Sequence, residues 1–519
     1  MRTTNSIKNM SIGILSALVI TVLGFISRKV FLDSLGVEYL GINGLLTNVL
    51  SMIALIEGGI GASIIYHLYK PLADNDKPKI IAFIQLYKKA YRILALLIFI
   101  LSILLYPFLN KILENNGGIS HNILTIAYFL FVCKNMISYL NAYKISLINA
   151  DQKQYILTRV NIGFQVFTTL SKIIILIYTT NFILYLIIEL LVFLIQTIYN
   201  GWIVERRYPY IKTKEKYNIS EEEKTSLIKN VKALFFHNIG TFCVFGTDNI
   251  LIASFISVVT VGFYSNYTMI IGQLGSLLSP VLDGIGSSIG NLIAKESKVK
   301  SYSIFKTVYL INFWIYSVCV IFLYVLLEPF INWWLGQGYL LDSLTFIVIL
   351  FNFYITGMRG SILTFKTKAG IFVQDQYVPL VEAIINLGVS LILVQYIGLA
   401  GIFLGTTIST LSIVFWNVPR LVYKHVFQVS VWSYFIKYLL YMVLTIFTCF
   451  ITVSTCNFLV VGDTLLSLVA KGILCIFIPN VLYLTIFYRS QEFQYINKIV
   501  GNLFGGIIGK VKRGHRKVI

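Results

Sequence analysis

Apolar residues along this chain gather in fourteen long blocks, at 10–30, 40–66, 91–109, 122–148, 156–178, 182–203, 233–255, 262–293, 306–328, 342–365, 377–395, 398–418, 434–455 and 464–487. Polar and basic residues fill the intervals. About 20 apolar residues in a helix cross a hydrocarbon core of about 30 Å. The blocks reach that length, so the pattern predicts fourteen transmembrane helices and an all-α integral membrane protein. The first block follows Arg2 and Lys8, as the apolar run of a signal peptide would. It is long and no small-residue cleavage site stands out, so it is read as a retained first span.

Composition agrees. Of 519 residues, 57% are hydrophobic and 12% charged, with a mean hydropathy of +0.80. Soluble domains carry about 25% charged residues. A soluble enzyme, a secreted disulfide scaffold and a disordered chain are excluded. The six cysteines, Cys133, Cys243, Cys319, Cys449, Cys456 and Cys475, lie in or beside apolar blocks with no CxxC pair. They are read as small apolar packing residues, without a disulfide or metal framework.

The net charge of +20 comes from 42 Lys and Arg against 22 Asp and Glu. In a soluble chain such an excess would suggest nucleic acid; here its placement decides. An even number of spans puts both termini on one side. With that side cytoplasmic, 34 of the 42 basic residues lie in cytoplasmic segments or at their membrane edges. External loops hold Lys111 alone, and seven fall within spans. This follows the positive-inside rule and sets the basic surface against anionic inner-leaflet lipid, with no nucleic acid required. The largest cytoplasmic loop, 205–232, holds eight basic residues and five glutamates. It divides the chain into an expected N-terminal lobe (1–204), linker (205–232), C-terminal lobe (233–418), two extra spans (419–487) and a basic cytoplasmic tail (488–519). External loops, the longest around 110–121 and 329–341, leave no room for the external domain of a glycan polymerase or glycosyltransferase.

A repeat supports two lobes. Gly59-Ile60-Gly61-Ala62-Ser63-Ile64 and Gly284-Ile285-Gly286-Ser287-Ser288-Ile289 match at five of six positions, preceded by Glu57 and Asp283 respectively. Six spans separate them, which makes the repeat parallel, and two equivalent lobes would frame a central cavity. Gly59, Gly61, Gly284 and Gly286 are expected to allow close helix packing. Charges within spans cost several kcal/mol unless they pair or face water. Those present are Arg28, Lys29, Glu57, Lys134, Lys144, Lys172, Glu189, Asp248, Asp283, Arg359, Glu382 and Lys471, with His237 nearby. The basic groups suit an anionic or phosphate-bearing ligand; ion pairing inside the bundle is the plainer reading of each. Arg28 and Asp248, in the first helix of each expected lobe, are the foremost candidates to line a cavity. Walker A, HExxH and GxSxG motifs are missing, so no catalytic residue, metal or cofactor is expected.

Several strings carry a resemblance. Phe25-Ile26-Ser27-Arg28 leads into Leu35-Gly36-Val37-Glu38-Tyr39-Leu40-Gly41, Gly44-Leu45-Leu46-Thr47-Asn48, Glu57-Gly58-Gly59-Ile60-Gly61 and Leu68-Tyr69-Lys70-Pro71-Leu72-Ala73. Thr247-Asp248-Asn249-Ile250, Val261-Gly262-Phe263-Tyr264-Ser265-Asn266-Tyr267 and Gly370-Ile371-Phe372-Val373-Gln374-Asp375-Gln376-Tyr377-Val378-Pro379-Leu380-Val381-Glu382 follow, with Asn386 and Gly405-Thr406-Thr407-Ile408-Ser409. Together they resemble the polysaccharide-transporter family, the Wzx-type flippases of O-antigen and capsule repeat units, in the superfamily of multidrug antiporters and the lipid II flippase. The resemblance implies two six-helix lobes in a MATE-like V plus two C-terminal helices. It implies alternating access in a bacterial cell membrane, carrying a polyprenyl-diphosphate-linked oligosaccharide to the outer leaflet. Implied partners are that lipid-linked oligosaccharide, membrane lipid, a glycan polymerase and other glycan-assembly proteins. Coupling to H+ or Na+, or drive by the membrane potential alone, stays open. Arg28 is the first candidate for diphosphate contact, followed by Lys29, Lys134, Lys172 and Arg359. Glu57, Asp248, Asp283 and Glu382 are candidates for gating or coupling. A MATE-like cation or drug antiporter, a lipid II-type flippase, a glycan polymerase or transferase, and a scaffold of a glycan-assembly complex are the alternatives.

Overall fold

The computed structural model of the chain describes residues 2–57, 60–112, 118–371, 373–375, 377–460, 462 and 464–498. No strand occurs among them. The helices, in chain order, are α1 (Arg2–Leu35), α2 (Val37–Ala54), α3 (Ile60–Asp74), α4 (Lys77–Ile112), α5 (His121–Tyr139), α6 (Ala142–Ala150), α7 (Tyr155–Thr179), α8 (Phe182–Arg207), α9 (Glu221–Phe245), α10 (Asp248–Phe255), α11 (Val258–Lys295), α12 (Lys298–Leu335), α13 (Ser343–Met358), α14 (Gly360–Lys368), α15 (Val378–Ile397), α16 (Leu399–Ser409), α17 (Phe415–Val422), α18 (Trp432–Leu459) and α19 (Leu465–Phe487). Twelve helical segments among the described residues are long and apolar enough to cross a membrane. The chain is an all-helical multi-pass membrane protein. The expected spans 233–255 and 262–293 fall on α9, α10 and α11, where some side chains, 279–288 among them, lie outside the described residues.

Several expected spans are broken. The block 40–66 comprises α2, a tight turn at Leu55–Glu57, and α3. The block 122–148 comprises α5 and α6, divided at Asn141. Its amide donates to the Thr197 carbonyl at 2.8 Å and stands where a Cβ on Gly201 of α8 would have to sit. The gap between α9 and α10 is bridged by Asn48 of α2, which donates to the Gly246 carbonyl at 2.9 Å. A side chain thus replaces the helical partner that a broken helix leaves without a bond. Helix starts follow ordinary capping chemistry: Asn181, Asp342 and Thr464 accept from Leu184, Thr345 and Ser467 backbone N–H groups.

The chain divides into two compact units. The first, Met1–Pro280 with Gln376–Ser409, contains α1 to α10, the start of α11, α15 and α16. Two close crossings hold it together. A Cβ on Gly41 would sit 1.9 Å from the Val258 carbonyl oxygen, and one on Gly262 would sit 2.5 Å from the Val37 carbonyl oxygen. Backbone therefore touches backbone where α2 meets α11. In Gly401-Ile402-Phe403-Leu404-Gly405 the spacing is GxxxG. Added Cβ atoms would meet the Leu393 carbonyl carbon at 2.4 Å and the Ser390 hydroxyl at 1.9 Å, so α16 lies directly on α15.

The second unit, Val281–Asp375 with Thr410–Ile519, contains α12 to α14 and α17 to α19. Aromatic rings dominate its interior. Phe313 stacks on Tyr441 with centroids 4.2 Å apart, and Tyr309 on Tyr434 at 5.1 Å. The Thr445 hydroxyl is hydrogen-bonded with the Ser317 hydroxyl at 2.9 Å and the Tyr354 hydroxyl at 3.2 Å, and Ser317 is also bonded to Tyr483. Trp314 donates to Asn480 at 2.8 Å, tying α12 to α19. Phe450, Phe458 and Leu466 are exposed, as side chains facing lipid would be.

Candidate functional site

The first unit collects most of the intramembrane charge. Arg28 is on α1, and its guanidinium donates to the Ser265 hydroxyl at 2.8 Å and the Asn266 amide oxygen at 3.3 Å, both on α11. Ser265 in turn donates to the Gly262 carbonyl at 2.8 Å. Asn266 is fully buried, and its amide nitrogen has no hydrogen-bond partner. A second polar contact, Thr21 to Gln273 at 2.6 Å, joins the same two helices. Among the described residues no carboxylate lies within ion-pair reach of Arg28. A guanidinium with neutral acceptors keeps its whole charge and can still take an anion bidentately.

Lys134 of α5 and Lys172 of α7 converge on Glu189 of α8, one on each carboxylate oxygen. Tyr185, one helical turn before Glu189, places its ring 4.1 Å from the Lys172 ammonium. Tyr185 also packs on Phe31, which stands one helical turn after Arg28 on α1. Arg28, Lys172 and Lys134 thus belong to one polar region built from α1, α5, α7, α8 and α11. It carries three cations against one described carboxylate.

Glu57 closes α2's end. Tyr91 of α4 donates to its carboxylate at 3.1 Å, and Tyr139 and the Gly61 N–H also face it. A Cβ on Gly61 would stand 3.1 Å from the Tyr91 hydroxyl and 3.3 Å from the Glu57 carboxylate. Asp248 is buried at the first position of α10, with the Tyr264 hydroxyl 3.5 Å away, the long end of a hydrogen bond.

The remaining candidates are scattered. Lys29 forms an exposed pair with Asp33 at 3.7 Å, one turn along α1. Glu382 is buried on α15. Arg359 is buried in the second unit at the α13–α14 junction, beside Tyr434 and Tyr438. Lys144 pairs with Glu205 at 2.7 Å, and Glu205 with Lys212 at 3.3 Å. Lys471 donates to the Gly462 carbonyl at 3.3 Å. Gly59 lies outside the described residues. Asp283, Gly284 and Gly286 lie within α11; the surroundings of these positions, like the side chain of His237, lie outside the described residues.

Ser265, Asn266 and Tyr185 were not among the sequence candidates. Ser265 and Asn266 stand inside a string that carried the family resemblance, so a signal was present. Tyr185 had none, being one tyrosine among 33.

Solved proteins share this arrangement of helices. The lipid II flippase MurJ, in an inward closed conformation, superposes with a TM-score of 0.65 at 13% identity, over 91% of this chain and 98% of that one. The MATE multidrug transporter DinF-BH matches at 0.57 with 15% identity, over 81% and 96%. An inward-facing multidrug-resistance MATE transporter of the MOP superfamily matches at 0.51 with 14% identity, over 79% and 98%. No protein-family model and no curated protein sequence matches the chain. The fold is that of MurJ and the MATE transporters.

Proposed function

We propose that this protein is a flippase. On this reading it carries a polyprenyl-diphosphate-linked oligosaccharide, an O-antigen, capsule or exopolysaccharide repeat unit, from the cytoplasmic to the outer leaflet of a bacterial cell membrane. The supporting observation is the surplus of intramembrane positive charge around Arg28, Lys172 and Lys134, with Glu189 the one carboxylate in ion-pair reach among the described residues. Such a surplus is costly in hydrocarbon and becomes favourable when an anion arrives. Sugar hydroxyls and a diphosphate cannot cross lipid unaided, because each unsatisfied polar group costs kcal/mol. A wet cavity would take the head group while the prenyl tail stays in lipid.

The mechanism follows as alternating access between lobes 1–204 and 233–418, with both termini cytoplasmic. Glu57, Asp248, Asp283 and Glu382 are assigned to gating or coupling. Arg359 is a secondary contact, and so is Lys29, despite its exposed pairing. The implied partners are a glycan polymerase and other glycan-assembly proteins.

A cation antiporter uses a similar fold, but the surplus of cations in the first unit would repel its cargo. Purified protein in vesicles decides between the two. Flipping of a polyprenyl-diphosphate-linked oligosaccharide, without transport of a cationic dye, is the expected result. Dye transport without lipid flipping would replace this reading with the antiporter.

A further inference from the structure

Glu189 holds two lysines, and they are not held equally. Lys172 is 15% exposed and touches both the carboxylate and the face of Tyr185, whose ring is fixed by Phe31 and Phe182. Lys134 is 37% exposed. Its further support is Phe193, with the ring centre 5.8 Å from the ammonium, near the outer limit for a cation–π contact. One lysine is anchored by charge and ring; the other relies on charge.

We infer that Glu189 is an exchangeable counter-ion, which keeps Lys172 permanently and yields Lys134 to the anionic group of the cargo. This rests on the proposed reading and deepens it. Two ammonium groups and one carboxylate leave one positive charge, and the three groups come from three different helices. An arriving diphosphate displaces Glu189 from Lys134, and the carboxylate retains a full partner in Lys172. Glu189 keeps an ammonium partner at both stages, which avoids the penalty of a lone buried carboxylate.

The arrangement also solves a problem of release. A lysine with no counter-ion would bind a diphosphate tightly and hold it, and binding that is equally strong throughout does not speed turnover. A resident carboxylate competes for the lysine and lowers affinity to a level from which the cargo can leave. Glu189 is therefore a positioning residue that tunes affinity without touching the cargo.

The test uses full-length protein in vesicles, with polyprenyl diphosphate as the binding probe and its oligosaccharide-linked form as the transport probe. Glu189→Gln should tighten binding by at least about tenfold while flipping slows by a similar factor. A merely structural role predicts weaker binding and less folded protein together. Lys134→Gln is the second variant, because it leaves the Lys172–Glu189 pair intact. It should keep the wild-type melting temperature and weaken binding at least about tenfold. Inorganic pyrophosphate should compete with the lipid in the wild type and not in Lys134→Gln. Unchanged or weaker binding in a folded Glu189→Gln protein, or wild-type binding in Lys134→Gln, overturns the inference. Wild-type protein that neither binds nor flips the lipid overturns the substrate reading itself.

Discussion

Arg28 is a guanidinium inside an apolar helix whose partners are a hydroxyl and an amide oxygen. Hydrogen bonds from a charged donor contribute about 1.5–3 kcal/mol each, enough to hold the side chain but without cancelling its charge. A role in head-group contact predicts graded loss. Arg28→Lys keeps the charge, loses the fork and should flip slowly; Arg28→Ala should be near zero; both should be present at normal levels. Flipping per mole of folded protein in vesicles measures this, and a purely structural Arg28 would lower the amount of protein instead. The sequence singled out Arg28 because its surroundings are apolar. It could not supply Ser265, which is 237 residues away. Lys29 looked similar in sequence, but neighbouring helical residues point about 100° apart, and it pairs on the exposed face with Asp33. Glu189 was visible as a charge within a span; its two lysines were visible too, but not their convergence, since three helices bring them together.

Hydrophobic blocks encode the length of a helix better than its breaks. The turn at Leu55–Glu57, the division at Asn141 and the gap at Gly246 all lie inside apolar runs, and each is tied by a polar side chain to a distant part of the chain. The glycine repeat was legible, yet among the described glycines crossings tighter than that of Gly61 are found elsewhere, at Gly41, Gly262, Gly401 and Gly405. Gly61 stands against a movable hydroxyl and carboxylate, whereas Gly405 stands against the Ser390 side chain and the Asn386 carbonyl oxygen at 2.9 Å. Gly405→Ala should therefore lower the melting temperature in detergent far more than Gly61→Ala; equal effects would contradict the packing account. A second element-level prediction concerns helical residues 491–498. Burial alone would raise the Glu492 carboxyl. Its own backbone N–H and the ammonium groups of Lys437 and Lys306 outweigh that and hold it below the usual glutamate range. A depressed carboxyl stabilises the fold above its unfolded value and loses that contribution as pH falls through the folded one. Thermal unfolding from pH 7 down to pH 3 should show a smaller acid-dependent loss in Glu492→Gln than in the wild type.

At the scale of the whole molecule, charge placement and span pattern made the membrane class legible, and the helical fold shared with MurJ persists at 13% identity. A fold shared at that distance rests on apolar helix lengths and close crossings rather than on particular residues, so it leaves the cargo and the driving force to be argued from charge. On the proposed reading the head group carries about two negative charges outward across an inside-negative membrane, and each charge gains about 2.3 kcal/mol per 100 mV. Export would then gain roughly 4–5 kcal/mol per 100 mV, which favours the outer leaflet by about three powers of ten without a coupled ion. Neutralisation of the cargo by Arg28 and Lys134 during the crossing would reduce that gain only if those cations moved with it. They are fixed to helices, so they shape the barrier and leave the end states unchanged. Vesicles carrying the protein and an imposed potassium-diffusion potential measure this directly. Flipping should accelerate when the acceptor side is positive, slow when the potential is reversed, and persist without a proton or sodium gradient. A rate indifferent to potential yet abolished by collapsing a proton or sodium gradient would assign the drive to a coupled ion, with Glu57 and Asp248 as the first carboxylates to substitute.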